Sequence, residues 1–280
     1  MTSKEPLRSE PPGTEPLGEE HEASEFQFAN FSIDRWLRKV PGGYLKDTEF
    51  GHRPGAGIPP EIQENGLLRQ VYLIDLALAV GAERASVRVA SGLANLADDE
   101  AAMVFLASQT LDEARHFEAF ANRFRELGLD DATREKLASD YMLPAYREFL
   151  DLLIEGIEAR DFETSMVGLN IILEGMAFPL YDYEMRYWSV LDPALAEIIY
   201  GAFRDEVRHV GFGEKRILHR LKGDPGVRNR VQRKVNDLGR KMREVFSEFL
   251  RFFIGFYDLA VRDHLDRVGH VEIIPGRILA

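Results

Sequence analysis

From residue 60 onward, apolar residues recur at three- and four-residue steps and β-branched residues almost never form runs, so the pattern is that of helices and holds no strand signal. The punctuation is just as informative. Asp98-Asp99, Gly128, Asp192-Pro193 and Asp224-Pro225-Gly226 are helix starters and stoppers by composition. They predict helices over 61–96, 99–127, 132–159, 162–190, 192–223 and 227–268, the third bent or broken at Pro144. The fold class is therefore all-α. With 280 residues, 45% of them apolar, the chain can bury a substantial core.

The flanks read differently. Residues 1–25 are rich in Pro, Glu, Ser and Gly without an apolar stretch, which predicts a disordered leader and not a signal peptide. Residues 26–60 mix Phe26, Phe28, Phe31, Trp36, Tyr44 and Phe50 with Pro41-Gly42-Gly43 and Pro54-Gly55, and are expected to lie irregularly across the bundle. The helical domain proper spans 61–270, and 271–280 form a tail. The longest apolar run, Val71 to Ala82, is interrupted by Asp75 and falls short of the roughly 18 residues that cross a bilayer. A formal net charge of −12 argues against nucleic acid and anionic membrane as partners. Cysteine is absent, which excludes disulfides, iron–sulfur clusters and thiolate-bound haem or zinc, and fits a cytoplasmic location.

Two of the predicted helices carry the same five-position motif, Asp112-Glu113-Ala114-Arg115-His116 and Asp205-Glu206-Val207-Arg208-His209. Residues three apart share a helix face, so each Glu-x-x-His step can present a carboxylate and an imidazole to one metal ion. Glu113 falls in the apolar stripe of Leu106, Thr110, Phe117 and Phe120, and Glu206 and His209 fall in that of Leu195, Ile199 and Ala202. Acids on such a stripe face inward, where they need a partner. A third Glu-x-x-His step, Glu49 and His52, lies amid Phe-Gly and Arg-Pro-Gly and is a chance occurrence.

Register adds an independent constraint. Glu83 lines up with Leu76, Val80, Val87 and Ala90, and Glu174 with Val167, Ile171, Phe178 and Tyr181. Glu83 and Glu113 are equidistant from Asp98, and Glu174 and Glu206 from Val190, beside the two predicted turns. In antiparallel helices equal distance from the turn is equal height, here about 22–24 Å from it. One Glu from each of two helices and Glu-x-x-His from two others is the ligand set of a two-metal carboxylate site in a four-helix bundle. Glu83, Glu113, His116, Glu174, Glu206 and His209 are thus the candidate ligands. Their four carboxylates balance two divalent ions, and oxygen and imidazole donors without thiolate suit iron or manganese. Asp112 and Asp205 are placed to accept the outer ring N–H of a histidine on the facing helix. Phe117, Phe120, Phe178 and Tyr181 are the candidate walls of a substrate pocket.

On Glu83, the two Asp-Glu-x-Arg-His motifs and Glu174-Gly175-Met176-Ala177-Phe178, the chain resembles the ferritin-like oxygenases and oxidases over about 61–221. These include the ribonucleotide reductase small subunit, the bacterial multicomponent monooxygenase hydroxylases and their single-chain relatives. The resemblance implies a ferritin-like four-helix bundle with additional helices. It further implies two iron ions (or a Mn/Fe pair), dioxygen, an electron donor and a small organic substrate that is oxidised or hydroxylated. Two alternatives stand beside this: a radical-generating subunit serving a partner, and a metal-binding or structural bundle without catalysis. Phe120 occupies the place of the reductase subunit's radical tyrosine, and Ala202 the place of the extra histidine of aromatic-amine N-oxygenases. Acidity and long helices are compatible with a homodimer.

Overall fold

The computed structural model describes residues 56–64, 66–223 and 225–251. The expected leader, the Glu49–His52 step and the tail lie outside them, as do most of the aromatic segment and the end of the last predicted helix. Among the described residues the chain is helical with no strand, and no helix is long and apolar enough to cross a membrane. A short α1 (Pro60–Gln63) precedes α2 (Leu67–Leu96) and α3 (Glu100–Glu126). Then come α4 (Asp131–Tyr141), α5 (Pro144–Glu158) and α6 (Phe162–Met166). A π-helical turn, Val167–Leu173, leads into α7 (Glu174–Leu191), followed by α8 (Pro193–Gly223) and α9 (Pro225–Phe249).

The principal packing units are two hairpins, α2 with α3 and α7 with α8, which meet where α3 crosses α8. Side chains close the turns. Asp99 accepts the Ala102 N–H at 2.8 Å, and Arg216 and Arg220 of α8 pair with Asp98 beside it. At the end of α3, Gly128 takes φ 75°, and its N–H donates to the Arg125 carbonyl. Asp192 joins α7 to α8 and accepts the N–H groups of Ala194 and Leu195.

Three predicted helices are interrupted. The first divides at Gly66, whose extended backbone starts α2 afresh after α1. The third breaks outright at Pro144, because Met142 and Leu143 adopt extended backbone before the proline and Pro144 then serves as the first helical residue of α5. The fourth contains the π turn, and six consecutive residues, 165–170, are buried there. Close approach accompanies it: a Cβ on Gly168 would meet Leu153 at 2.0 Å, and one on Gly213 of α8 would meet Asn170 at 2.5 Å.

Two large apolar clusters make up most of the core, with a small third one around Ile74, Leu78 and Leu143. One gathers Tyr72, Leu76, Phe124, Trp188 and Leu195. The other gathers Val89, Leu93, Leu106, Phe149 and Val167. The polar level of the bundle lies between them. The first cluster also encloses an ion pair: Arg123 binds Asp192, and Tyr72 donates to Asp192 at 2.8 Å while accepting from Arg123 Nε at 2.9 Å. Arg123→Ala would strand that buried aspartate and is expected to lower the unfolding free energy by about 3–5 kcal/mol. Lys136→Ala, which breaks an exposed pair with Asp140, should leave it unchanged within error. Urea denaturation of both variants checks this, and equal effects would contradict it.

Candidate metal centre

Where α2, α3, α7 and α8 run side by side, Glu83, Glu113, His116, Glu174, Glu206 and His209 converge, each at most 5% exposed. Donor atoms of Glu113, Glu174, Glu206 and His209 lie within 4.8 Å of one another, and so do those of Glu83, His116 and Glu206. Glu206 belongs to both groups. Glu113 is placed similarly: one oxygen is 3.6 Å from His116 Nδ1 and the other 3.4 Å from His209 Nδ1. The arrangement is two half-sites sharing two glutamates, with Glu83 and Glu174 at the outer positions.

Both imidazoles turn Nδ1 inward, so their Nε2 atoms point out of the cluster. His116 Nε2 lies 3.2 Å from Asp205 Oδ2, and His209 Nε2 lies 3.3 Å from Asp112 Oδ2. Each motif's aspartate therefore serves the other motif's histidine. The motif arginines complete the pattern: Arg115 donates to Asp112 at 2.9 Å and to Asp205 at 2.6 Å, and Arg208 pairs with Asp112. Burial raises the Asp112 carboxyl, but the His209 hydrogen bond and the two guanidiniums overcome it and hold the group well below the usual range. Asp205 is lowered likewise, by His116 and Arg115 against burial. Ionised aspartates accept the Nε2 proton and leave the Nδ1 lone pairs free for a cation.

The cluster also holds two residues that the sequence reading missed. Gln109 donates from Nε2 to Glu174 at 2.6 Å and to Glu113 at 3.2 Å. Asn170, in the π turn, donates to Gln109 Oε1 at 2.9 Å and to the His209 carbonyl at 3.2 Å. Each precedes a cluster glutamate on its own helix by four residues, and a polar residue one turn before an inward acid was the available signal.

Packing so many acids together shifts their titration. Burial pushes Glu83 up to about 8 despite the nearby His116. Burial and the neighbouring glutamates also raise Glu174 and Glu206. Burial disfavours charge on His209, yet hydrogen bonds to Asp112 and Glu206 carry it up to about 9. Among the described residues Glu174 Oε2 and His116 Nδ1 are buried without hydrogen-bond partners. Unsatisfied donors converging on one point, with four carboxylates and two imidazoles, fit two divalent cations.

A cavity of about 130 Å³ opens beside the cluster and is lined by Glu83, Glu174, Glu206, Phe120, Met176 and Tyr181, among others. The Tyr181 hydroxyl donates to Glu83 over a long 3.5 Å. Two of the expected wall residues lie elsewhere. Phe117 is half-buried and packs against the first apolar cluster, with the guanidiniums of Arg84 and Arg134 5.8 and 5.5 Å from its ring centre. Phe178 turns away to meet Phe203 edge-on at 5.5 Å. Apolar periodicity identified the inward arc of each helix but not which neighbour fills it.

Fold and cluster together define a ferritin-like helical protein with a buried carboxylate–histidine centre. Among solved structures it is similar to a mutant of an R2-like ligand-binding oxidase with an aerobically reconstituted Mn/Fe cofactor, at a TM-score of 0.62 and 17% identity. The match covers 88% of this chain and 92% of that one. No family model and no curated protein matches the sequence.

The titration shifts set a sign for stability. Glu83 and His209 take up protons on folding, so each stabilises fully below its unfolded value, and that stability is lost as pH rises through the folded one. Asp112 and Asp205 stay ionised across that window and do not oppose it. Metal-free protein is expected to melt at progressively lower temperature from about pH 5 to pH 9, with saturating divalent metal abolishing the decline. A melting temperature that climbs over that range would contradict these shifts.

Proposed function

We propose that the chain is a dioxygen-dependent oxidoreductase with a centre of two iron ions, or one manganese and one iron, that oxidises a small organic molecule held in the adjoining cavity. The observation that supports this most is the shared-glutamate geometry, in which the two half-sites have Glu206 in common beside an apolar cavity. Two reduced metals supply the electrons that activate dioxygen when bound, and an external donor must replace them for each later turnover.

The chain's own contributions follow from its geometry. Glu83, Glu113, His116 and Glu206 would hold one ion, and Glu113, Glu174, Glu206 and His209 the other. Asp112 and Asp205 fix both imidazoles in the binding tautomer. Gln109 holds Glu174 and Glu113 in position from the side. Phe120, Met176 and Leu173 supply apolar wall, which would keep water from a reactive centre.

Phe120 offers no phenol, so a stored tyrosyl radical finds no seat at that position. A radical-generating role would fall to Tyr181, supported by its contact with Glu83; a tyrosyl signal in electron paramagnetic resonance that Tyr181→Phe removes would establish it.

Anaerobic Fe(II) titration followed by air tests the main reading. About two irons per chain and a new near-ultraviolet ferric band are expected, with Glu174→Ala losing the band and at least one iron. A chain that binds only zinc, or no metal, would overturn the reading, and an unchanged Glu174→Ala variant would remove that residue from the ligand set.

A further inference from the structure

Asp75, the acid that breaks the longest apolar run, is half-buried. It lines the same cavity as the metal cluster, opposite Glu184 of α7. Trp188 Nε1 donates to Asp75 Oδ2 at 2.7 Å, and Asp75 and Glu184 are hydrogen-bonded to each other. Two carboxyl groups share a hydrogen bond only when a proton lies between them, which leaves one negative charge on the pair. Burial raises Asp75 to about 6, and burial together with the charge of Asp75 raises Glu184 further, consistent with one shared proton at neutral pH.

Among the described residues that line the cavity there is no Lys, Arg or His to match that charge, and most of them are aliphatic or aromatic. An unpaired buried anion is unfavourable by several kcal/mol, so the arrangement is suited to an occupant that brings a positive charge. One polar atom of the wall, Glu174 Oε2 on a residue 3% exposed, is buried without a hydrogen-bond partner among the described residues, and the Tyr146 hydroxyl is set amid Glu83, Glu184 and Glu206. The acid pair stands about 12 Å from Glu83 along α2 and about 15 Å from Glu174 along α7, at opposite ends of one apolar space. A cavity of about 130 Å³ is close to the roughly 150 Å³ that accommodates a benzene-sized molecule.

We propose that Asp75 and Glu184 anchor a protonated primary amine, so that the cavity's ligand is a small amine whose apolar body extends from this pair toward Glu83 and Glu206. The proposal deepens the oxidoreductase reading and rests on it for the claim that this ligand is the substrate. A carboxylate of the same length finds no cation at the anchor, and an alcohol leaves its charge unpaired. Selection is therefore for ammonium.

Calorimetric titration of the iron-loaded, oxygen-free full-length chain with n-hexylamine, 1-hexanol and hexanoate tests this. Hexylamine is expected to bind about tenfold or more tighter than either analogue. Asp75→Asn and Glu184→Gln, which preserve shape, should each weaken hexylamine by about tenfold while hexanol stays within about threefold. Hexylamine binding no tighter than hexanol would overturn the proposal, as would hexylamine binding that ignores both substitutions, the behaviour of an amine sitting on the metal. The comparison of three ligands on the unsubstituted chain decides the matter even if a variant does not fold. Iron counted in the same samples separates the two readings: two irons with no amine preference defeats the anchor alone, and amine preference without iron defeats the oxidase reading alone.

Discussion

Four carboxylates and two imidazoles sit in the middle of an apolar bundle, and much else in the structure answers that fact. Without counterions the group can persist only by taking up protons, which is why burial drives Glu83, Glu174 and Glu206 upward together. Two divalent cations would cancel the charge and let every carboxylate ionise. The surroundings hold the ligands ready for that state. The crossed Asp112–His209 and Asp205–His116 contacts tie α3 to α8, and Arg115 spans both aspartates. The matching spacing of the two motifs therefore has a mechanical meaning: each copy brings a glutamate and a histidine to the cluster and an orienting acid to the other copy's histidine.

The fold serves the same end by placing the charged level between two apolar clusters, one toward Tyr72 and Trp188 and one toward Leu93 and Phe149. Both hairpins are pinned by charged groups near their turns. Asp98 and Asp99 are held by α8, and Asp192 is held by Arg123 and Tyr72. Ligand height depends on turn position, so these pins keep the glutamates level. The cavity then continues the polar level sideways into apolar space and ends on a second, smaller acid pair, Asp75 and Glu184.

Much of this was readable before any coordinates. Helix positions followed from Asp98-Asp99, Gly128 and Asp192-Pro193, because capping chemistry is local. The meeting of Glu83 with Glu113 and of Glu174 with Glu206 followed from counting residues back from turns. What was not readable is what depends on neighbours. The π turn has no compositional mark, since it reflects the close packing of Gly168 on Leu153 and of Gly213 on Asn170. Gln109 and Asn170 looked like ordinary polar residues until the two helices were brought together. Phe117 and Phe178 were placed on inward arcs correctly described as apolar, yet each found a different neighbour from the cavity. In sequence Asp75 reads only as an interruption, because its partner Glu184 lies more than a hundred residues away.

In the proposed function these six side chains hold a pair of metal ions through shared glutamates. Anomalous diffraction at the iron edge, from crystals grown with Fe(II) under nitrogen, addresses it most directly. Two peaks about 3.5–4 Å apart between Glu113 and Glu206, with His116 beside one and His209 beside the other, are the expected result. A single peak, or iron bound away from this cluster, would contradict the account.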